Sequence, residues 1–91
     1  MELHQRHTDA LFATKSLDAL VFLIDAGREL EFTFGGQAYF LSGCDTGGYI
    51  CLYCGAHVQR FDTMQELIRN AVLLDQPFSQ AWYQAELQYL F

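Results

Sequence analysis

The stretch from residue 28 to residue 36 constrains the fold of this chain more than any other. Polar and apolar residues alternate along it, with Leu30, Phe32 and Phe34 on one face and Glu29, Glu31 and Thr33 on the other. This period of two is typical of a half-buried antiparallel strand. Gly35-Gly36 can supply the positive φ angles of a two-residue hairpin turn. With that loop, Phe32 pairs with Tyr39 and Leu30 with Leu41, so register and apolar pattern agree.

Two further strands are predicted after this hairpin. A second glycine-rich turn at 43–48 leads into residues 49–54, which are apolar on both faces and indicate an internal strand. Gly55-Ala56 permits a reversal into a short fourth strand at residues 57–61. Loops of two and three residues give opposite face assignments there, so the register of this last strand stays open. The sheet is thus a predicted antiparallel meander of three or four strands.

Helical patterns flank the meander. Ser16 is a candidate N-cap for a helix that ends before Gly27, and its apolar positions are Leu17, Leu20, Val21 and Ile24. After the sheet, Asp62 or Thr63 can cap a second helix that runs to near Leu74. Pro77 can open a third. The predicted fold is therefore one α+β domain over residues 1–91, with one helix before the meander and two after it. Residues 1–13 lack a convincing period and are predicted to form a flexible tail.

Composition narrows the classes of function. Eleven acidic residues face five basic ones, giving a formal net charge of −6, and Lys15 is the single lysine. A basic surface able to neutralise phosphates is therefore not expected, which argues against nucleic-acid binding. The first residues lack the apolar core of a signal peptide, and the longest apolar run, 19–24, is too short to span a bilayer. Three cysteines without a secretory context favour the reducing cytoplasm.

The spacing Cys51-x-x-Cys54-x-x-His57 is the clearest candidate for metal chemistry. Together with Cys44 these residues could supply four ligands to a structural zinc ion. However, Cys51 and Cys54 point to opposite faces if they lie in one strand. A single knuckle is also weak evidence, and cysteine is a common small core residue. The favoured interpretation is that these are strand and turn residues, with no metal and no cofactor.

Sequence patterns for catalysis are weak. A redox Cys-x-x-Cys is activated at the start of a helix, whereas this one lies within a predicted hairpin. A cysteine nucleophile with His57 as base lacks an identifiable orienting group and oxyanion hole. Glu29 and Glu31 are more typical of solubilising charges on a strand than of a catalytic pair. No phosphate-binding, zinc-protease or nucleophile-elbow motif occurs. We therefore expect a protein that is not an enzyme.

The aromatic C-terminal segment is the better functional candidate. In the predicted last helix, Phe78, Trp82, Ala85 and Tyr89 share one face. More apolar surface lies there than a small sheet may need. The candidate interface residues are Trp82, Tyr83, Tyr89, Leu90 and Phe91. They favour a protein partner or a homodimer.

Some of these segments resemble a known group of proteins. The relevant residues run from Gly27 to Tyr39, from Phe61-Asp62-Thr63 into Glu66-Leu67, and along Leu74-Asp75-Gln76-Pro77 before Trp82. In them the chain resembles small uncharacterised α/β proteins of Gram-positive, often gut-dwelling bacteria and their mobile elements. The resemblance covers roughly residues 16–83 and implies a fold without implying catalytic residues.

The expected function is a non-enzymatic, cytoplasmic protein-interaction module. One alternative is a phage or mobile-element inhibitor, since the element order and acidity are similar to those of some anti-CRISPR DNA mimics. A second alternative is a small zinc-stabilised domain. An acidic face would favour the first alternative, and convergence of the three cysteines would favour the second.

Overall fold

The computed structural model describes residues 3–43 and 48–91 of the chain. This part forms an α+β structure of four α-helices, one 3₁₀ turn and seven strands. The helices are α1 (Leu3–Thr14), α2 (Leu17–Asp25), α3 (Met64–Asn70) and α4 (Phe78–Ala81), with the 3₁₀ turn at Trp82–Gln84. The strands are β1 (Leu30–Phe34), β2 (Gln37–Gly43), β3 (Ile50–Cys54), β4 (His57–Phe61), β5 (Val72–Leu73), β6 (Gln76–Pro77) and β7 (Glu86–Leu90).

Five strands form one antiparallel sheet in the order β4-β3-β2-β1-β7. The predicted β1–β2 register is confirmed, because Phe32 pairs with Tyr39 and Leu30 with Leu41. The rings of Phe32 and Tyr39 stack with their centroids 5.4 Å apart. Cys54 pairs with His57, so the β3–β4 loop has two residues and the open register is settled. The meander is thus as expected, but a fifth strand from the C-terminal end extends it.

The first helix corrects the prediction of an unstructured tail. Residues 3–14 are helical, and Leu11 is fully buried in the core. His7 occupies a position where an apolar residue would normally pack, since its ring stacks on Phe22 of α2 with the centroids 3.9 Å apart. A polar residue on the buried stripe interrupts the apolar period. This explains why the pattern of residues 1–13 did not indicate a helix.

The second predicted helix is shorter than expected. Ser16 caps α2 as predicted, and Thr63 caps α3 by accepting a hydrogen bond from the Glu66 amide at 3.1 Å. However, α3 ends at Asn70 and not near Leu74. A two-residue turn at Leu74-Asp75, both with positive φ, then joins β5 to β6.

The β5–β6 hairpin is tied to the main sheet by one side-chain amide. Gln59 of β4 donates to the Val72 carbonyl oxygen at 2.7 Å and accepts from the Val72 amide at 3.0 Å. The Gln59 side chain therefore satisfies both backbone hydrogen-bonding groups of Val72, as a neighbouring strand would, and holds the hairpin against β4.

The predicted last helix is wrong beyond residue 84. Phe78–Ala81 and the 3₁₀ turn provide little more than one helical turn each, and the chain then becomes the edge strand β7. Leu87 pairs with Phe32 and Leu90 with Leu30, with an irregularity in the register between Glu31 and Phe32. The prediction of a helix with Trp82, Ala85 and Tyr89 on one face therefore does not hold.

All four helices lie against one face of the sheet. The core joins residues from that face with residues from every helix, and it includes Leu11, Leu23, Leu30, Phe32, Leu41, Leu52, Leu67, Phe78 and Trp82. The opposite sheet face contributes nothing to this core cluster. On that face Cys51 is buried and Phe40 and Tyr53 are half-buried, whereas Tyr89 and Phe91 are exposed.

Candidate functional site

The candidate site is the sheet face turned away from the helices, which we call the open face. Strand pairing places Val58, Tyr53, Phe40, Glu31 and Tyr89 in one row across all five strands. A second row contains Arg60, Cys51, Ser42, Glu29 and Phe91. These residues share a face because side chains alternate along each strand.

Aromatic rings form a continuous surface in the middle of the open face. Phe40 lies 6.3 Å from Tyr53 and 6.1 Å from Phe91, measured between ring centroids. Tyr89 lies 6.2 Å from Phe91. Tyr89 is 61% exposed and Phe91 56%. Four aromatic rings therefore meet in one surface, in which, among the described residues, Phe40 and Tyr53 are half-buried and Tyr89 and Phe91 are exposed.

The backbone holds Phe91 firmly in this surface. Its amide donates to the Glu29 carbonyl oxygen at 2.7 Å, and the Glu29 amide donates to the Phe91 carbonyl oxygen at 3.3 Å. The Arg28 Nε donates to the same oxygen of Phe91 at 2.5 Å. The β1–β7 pairing thus extends one residue beyond β7, and the last ring is presented by ordered backbone.

Charges divide the open face into two halves. Glu29 and Glu31 lie on β1, and Glu86 pairs with Thr33 on the same side of β7. Ser42 donates to the Glu29 carboxylate at 2.8 Å. At the opposite edge, the Arg60 guanidinium of β4 lies over the Tyr49 ring, 5.3 Å from its centroid. The face is therefore acidic towards β7, basic towards β4 and aromatic between them.

The five predicted interface residues lie in different environments in the structure. Trp82 is fully buried, and its indole Nε1 donates to the Lys15 carbonyl oxygen at 2.9 Å, so it is a core residue. Leu90 pairs with Leu30 and packs against the core. Tyr83 is 57% exposed, but it belongs to the 3₁₀ turn and not to the sheet. Only Tyr89 and Phe91 of the five lie on the open face.

Sequence reasoning missed Phe40 and Tyr53 as surface residues. The signal was present, because the predicted hairpin register puts Phe40 opposite Glu31, on the polar face of β1. An aromatic residue on the polar face of a strand indicates a partly exposed ring. What the sequence did not indicate is that β7 would bring Tyr89 and Phe91 to the same surface.

The geometry does not support the zinc alternative. Cys51 pairs with Arg60 and Ser42 on the open side of β3, whereas Cys54 lies on the helix-covered side. Cys44 lies outside the described residues. Among residues 3–43 and 48–91, no three histidine, cysteine, aspartate or glutamate side chains are grouped so that they could hold a metal ion.

Cys54 and His57 instead line a shallow groove at the end of the core. This groove has a volume of about 370 Å³ and is bounded by Tyr39, Cys54, His57, Gln59, Val72, Leu74 and Asp75. Burial raises the pKa of the Tyr39 phenol above its ordinary value, and the neighbouring Cys54 thiol raises this pKa further. The Cys54 sulfur also lies 4.0 Å from Gln37 Oε1.

Comparisons with protein-family models, with curated proteins and with solved structures find no match to this chain. In the part of the chain that the structure describes, no helix is long and apolar enough to cross a membrane. The fold and the site define an α+β protein with a helix-covered sheet and an open aromatic face. Its function has to be inferred from that face.

Proposed function

We propose that this protein is a non-enzymatic interaction module that binds a protein partner through the open face, in the cytoplasm. The observation that carries the proposal is the aromatic surface in which the half-buried rings of Phe40 and Tyr53 adjoin the exposed rings of Tyr89 and Phe91. Aromatic residues are enriched at protein interfaces, and contiguous apolar surface of this kind commonly marks a binding site.

The size of the surface suits a protein partner. Five strands of about five residues each span roughly 24 Å by 17 Å, or on the order of 400 Å² in projection. The four rings occupy the middle of this area, and contiguous apolar patches of roughly a few hundred Å² on small proteins are often functional. The face is flat and shallow, whereas small molecules generally bind in enclosed pockets.

The charges of the open face disfavour nucleic acid. Three carboxylates, those of Glu29, Glu31 and Glu86, accompany the rings, whereas Arg60 lies at the opposite edge and the Arg28 guanidinium lies beside the Phe91 backbone. Aromatic sheets that bind single strands combine stacking rings with a positive groove, because the phosphates must be neutralised. The described residues provide no such groove on this face.

The DNA-mimic alternative receives no support from the distribution of the acidic residues. Within the described part of the chain, carboxylates occur on α1, α2, β1, α3, the β5–β6 turn and β7. A mimic of the DNA backbone needs them in a dense array on one surface. The open face mixes three of them with exposed rings, which suits a protein interface better.

The proposal is tested by capture after chemical crosslinking in the native host, using tagged wild type, Tyr89→Ser and Tyr83→Ser. The two tyrosines are 61% and 57% exposed, so the substitutions remove similar exposed surface from different sides of the molecule. We expect Tyr89→Ser to reduce the crosslinked complex by about tenfold, as for a moderate hot spot, and Tyr83→Ser to leave it unchanged. Equal yields from all three proteins, or no complex with wild type, would contradict the proposal.

A further inference from the structure

We infer that the partner of the open face is a second copy of this chain, in a symmetric dimer that packs sheet on sheet. This inference rests on the proposed function, because it uses the same surface and names its occupant. The argument comes from how charges and rings are placed about the central strand β2.

The open face is self-complementary about β2. Two strands lie on each side of it in the order β4-β3-β2-β1-β7. The basic residue Arg60 lies on one outer strand, and the acidic residues Glu29, Glu31 and Glu86 lie on the two strands of the other side. A surface with opposite charges on its two halves can satisfy both halves by pairing with itself.

Two arrangements bring two such sheets together by a two-fold axis between them. An axis perpendicular to the strands places β4 over β4 and β7 over β7, so Arg60 approaches Arg60 and the carboxylates approach one another. An axis parallel to β2 places β4 of one copy over β7 of the other. Only the second arrangement sets opposite charges against each other, and like charges brought together oppose association.

The contacts of this second arrangement follow from the two rows of residues. Phe40, on the central strand, meets Phe40 of the second copy near the axis. Tyr53 of β3 lies over Glu31 of β1. Arg60 lies over the end of β7, next to the Phe91 ring and the Glu29 carboxylate. The Tyr53 and Arg60 contacts each occur twice, and Phe40 meets Phe40 once at the axis, as a two-fold interface requires.

The expected interface is small. Two sheets pack about 10 Å apart and rotated by about 30°, so their central rings stay in contact. The total buried surface is on the order of 1,000 Å², at the lower end of specific protein interfaces. We therefore expect a dissociation constant in the micromolar range, with the dimer exchanging with monomer.

Sedimentation equilibrium in about 0.15 M salt tests the charge pattern, using wild type, Arg60→Glu, Glu29→Lys and the double variant. We expect each single change to raise the dimer dissociation constant about tenfold, since each sets like charges together. The double variant exchanges the two charges and should return to within about threefold of wild type. Arg69→Glu, an exposed charge reversal on α3, is the matched control and should dimerise like wild type.

Circular dichroism first establishes that each variant is folded. Concentration-dependent NMR shifts of wild type provide a measurement without substitution, and they should fall on residues of the open face. A wild type that stays monomeric at millimolar concentration, a dimer indifferent to both charge reversals, or shifts confined to the helices would overturn the dimer.

The two proposals fail in different ways. If wild type is monomeric but Tyr89→Ser still abolishes capture of another protein from the host, the dimer is wrong and the interaction module stands. If wild type is monomeric and the Tyr89→Ser variant captures the same proteins in the same yield as wild type, both the dimer and the interaction module are wrong.

Discussion

The phenol of Tyr39 lies where the main core meets the groove beneath the β5–β6 turn. It is 3% exposed, and burial together with Cys54 raises its pKa above the ordinary value of 10.0. The folded protein therefore retains this proton at pH values at which the unfolded chain loses it. Stability from this group is complete below about pH 10 and falls as the pH rises towards the raised folded pKa.

Replacing this phenol should flatten the alkaline part of the stability profile. We predict that the free energy of unfolding of Tyr39→Phe decreases less steeply above about pH 10 than that of wild type. Urea unfolding at a series of pH values from 8 to 11 measures this free energy. The slope of the free energy against pH is compared between the two proteins, because loss of the hydroxyl also changes the free energy at pH 8. Tyr83→Phe is the control. Parallel profiles for wild type and Tyr39→Phe would contradict the assigned role.

Individual residues show how far a sequence determines the site. The alternation of residues 28–34 and the Gly35-Gly36 turn fixed the position of Phe40 on the polar face, and the structure confirms that register. Trp82 was assigned to an interface because the sequence shows it as large and apolar without showing its neighbours. The structure surrounds it with Phe32 and Phe78 and gives its indole a backbone acceptor. Only tertiary packing distinguishes these two roles.

At the scale of elements, β7 shows why the last helix was predicted. The register of the β1–β7 pairing shifts between Glu31 and Phe32, and Gln88 is the residue of β7 that is not paired with a residue of β1. As a result, Leu87 and Leu90 both face the core although they are three positions apart. A spacing of three is the helical period, whereas a regular strand has a spacing of two. A strand with such a bulge thus produces the apolar pattern of a helix. Its identity becomes clear only when β1 is present as its partner.

The helix α1 offers a direct test of the correction at the start of the chain. Leu11 is fully buried and the adjacent Phe12 is 46% exposed, although both are large and apolar. If α1 packs on the core, Leu11→Ala should lower the free energy of unfolding by about 2–4 kcal/mol because it leaves a cavity. Phe12→Ala should lower it by about 0.5 kcal/mol or less.

Denaturant unfolding monitored by the fluorescence of Trp82 measures both variants of α1. The Trp82 indole donates to Lys15 directly after this helix, so the probe is close to the change. Similar small losses for both variants would mean that residues 3–14 are not docked on the core, as in the tail first predicted from sequence.

At the scale of the whole molecule, the helices lie on one sheet face, and within the described residues Tyr89 and Phe91 are exposed on the other. The sequence indicated the class of fold, the meander and the hairpin register. It did not indicate that β7 closes the β1 edge, which is what completes the aromatic surface. The likeness to DNA mimics rests on the predicted element order and on total charge. The positions of the charges argue against this likeness, because opposite charges lie on opposite halves of the open face.

The central claim, that the open face is the binding surface, is tested most directly by hydroxyl-radical footprinting of the wild-type protein. Oxidation of Tyr89, Phe91 and Tyr83 would be compared between dilute purified protein and protein in concentrated solution or host lysate. The account predicts that Tyr89 and Phe91 become protected while Tyr83, similarly exposed in the isolated chain, is oxidised as before. Protection of Tyr83 with unchanged oxidation of Tyr89 and Phe91 would contradict it.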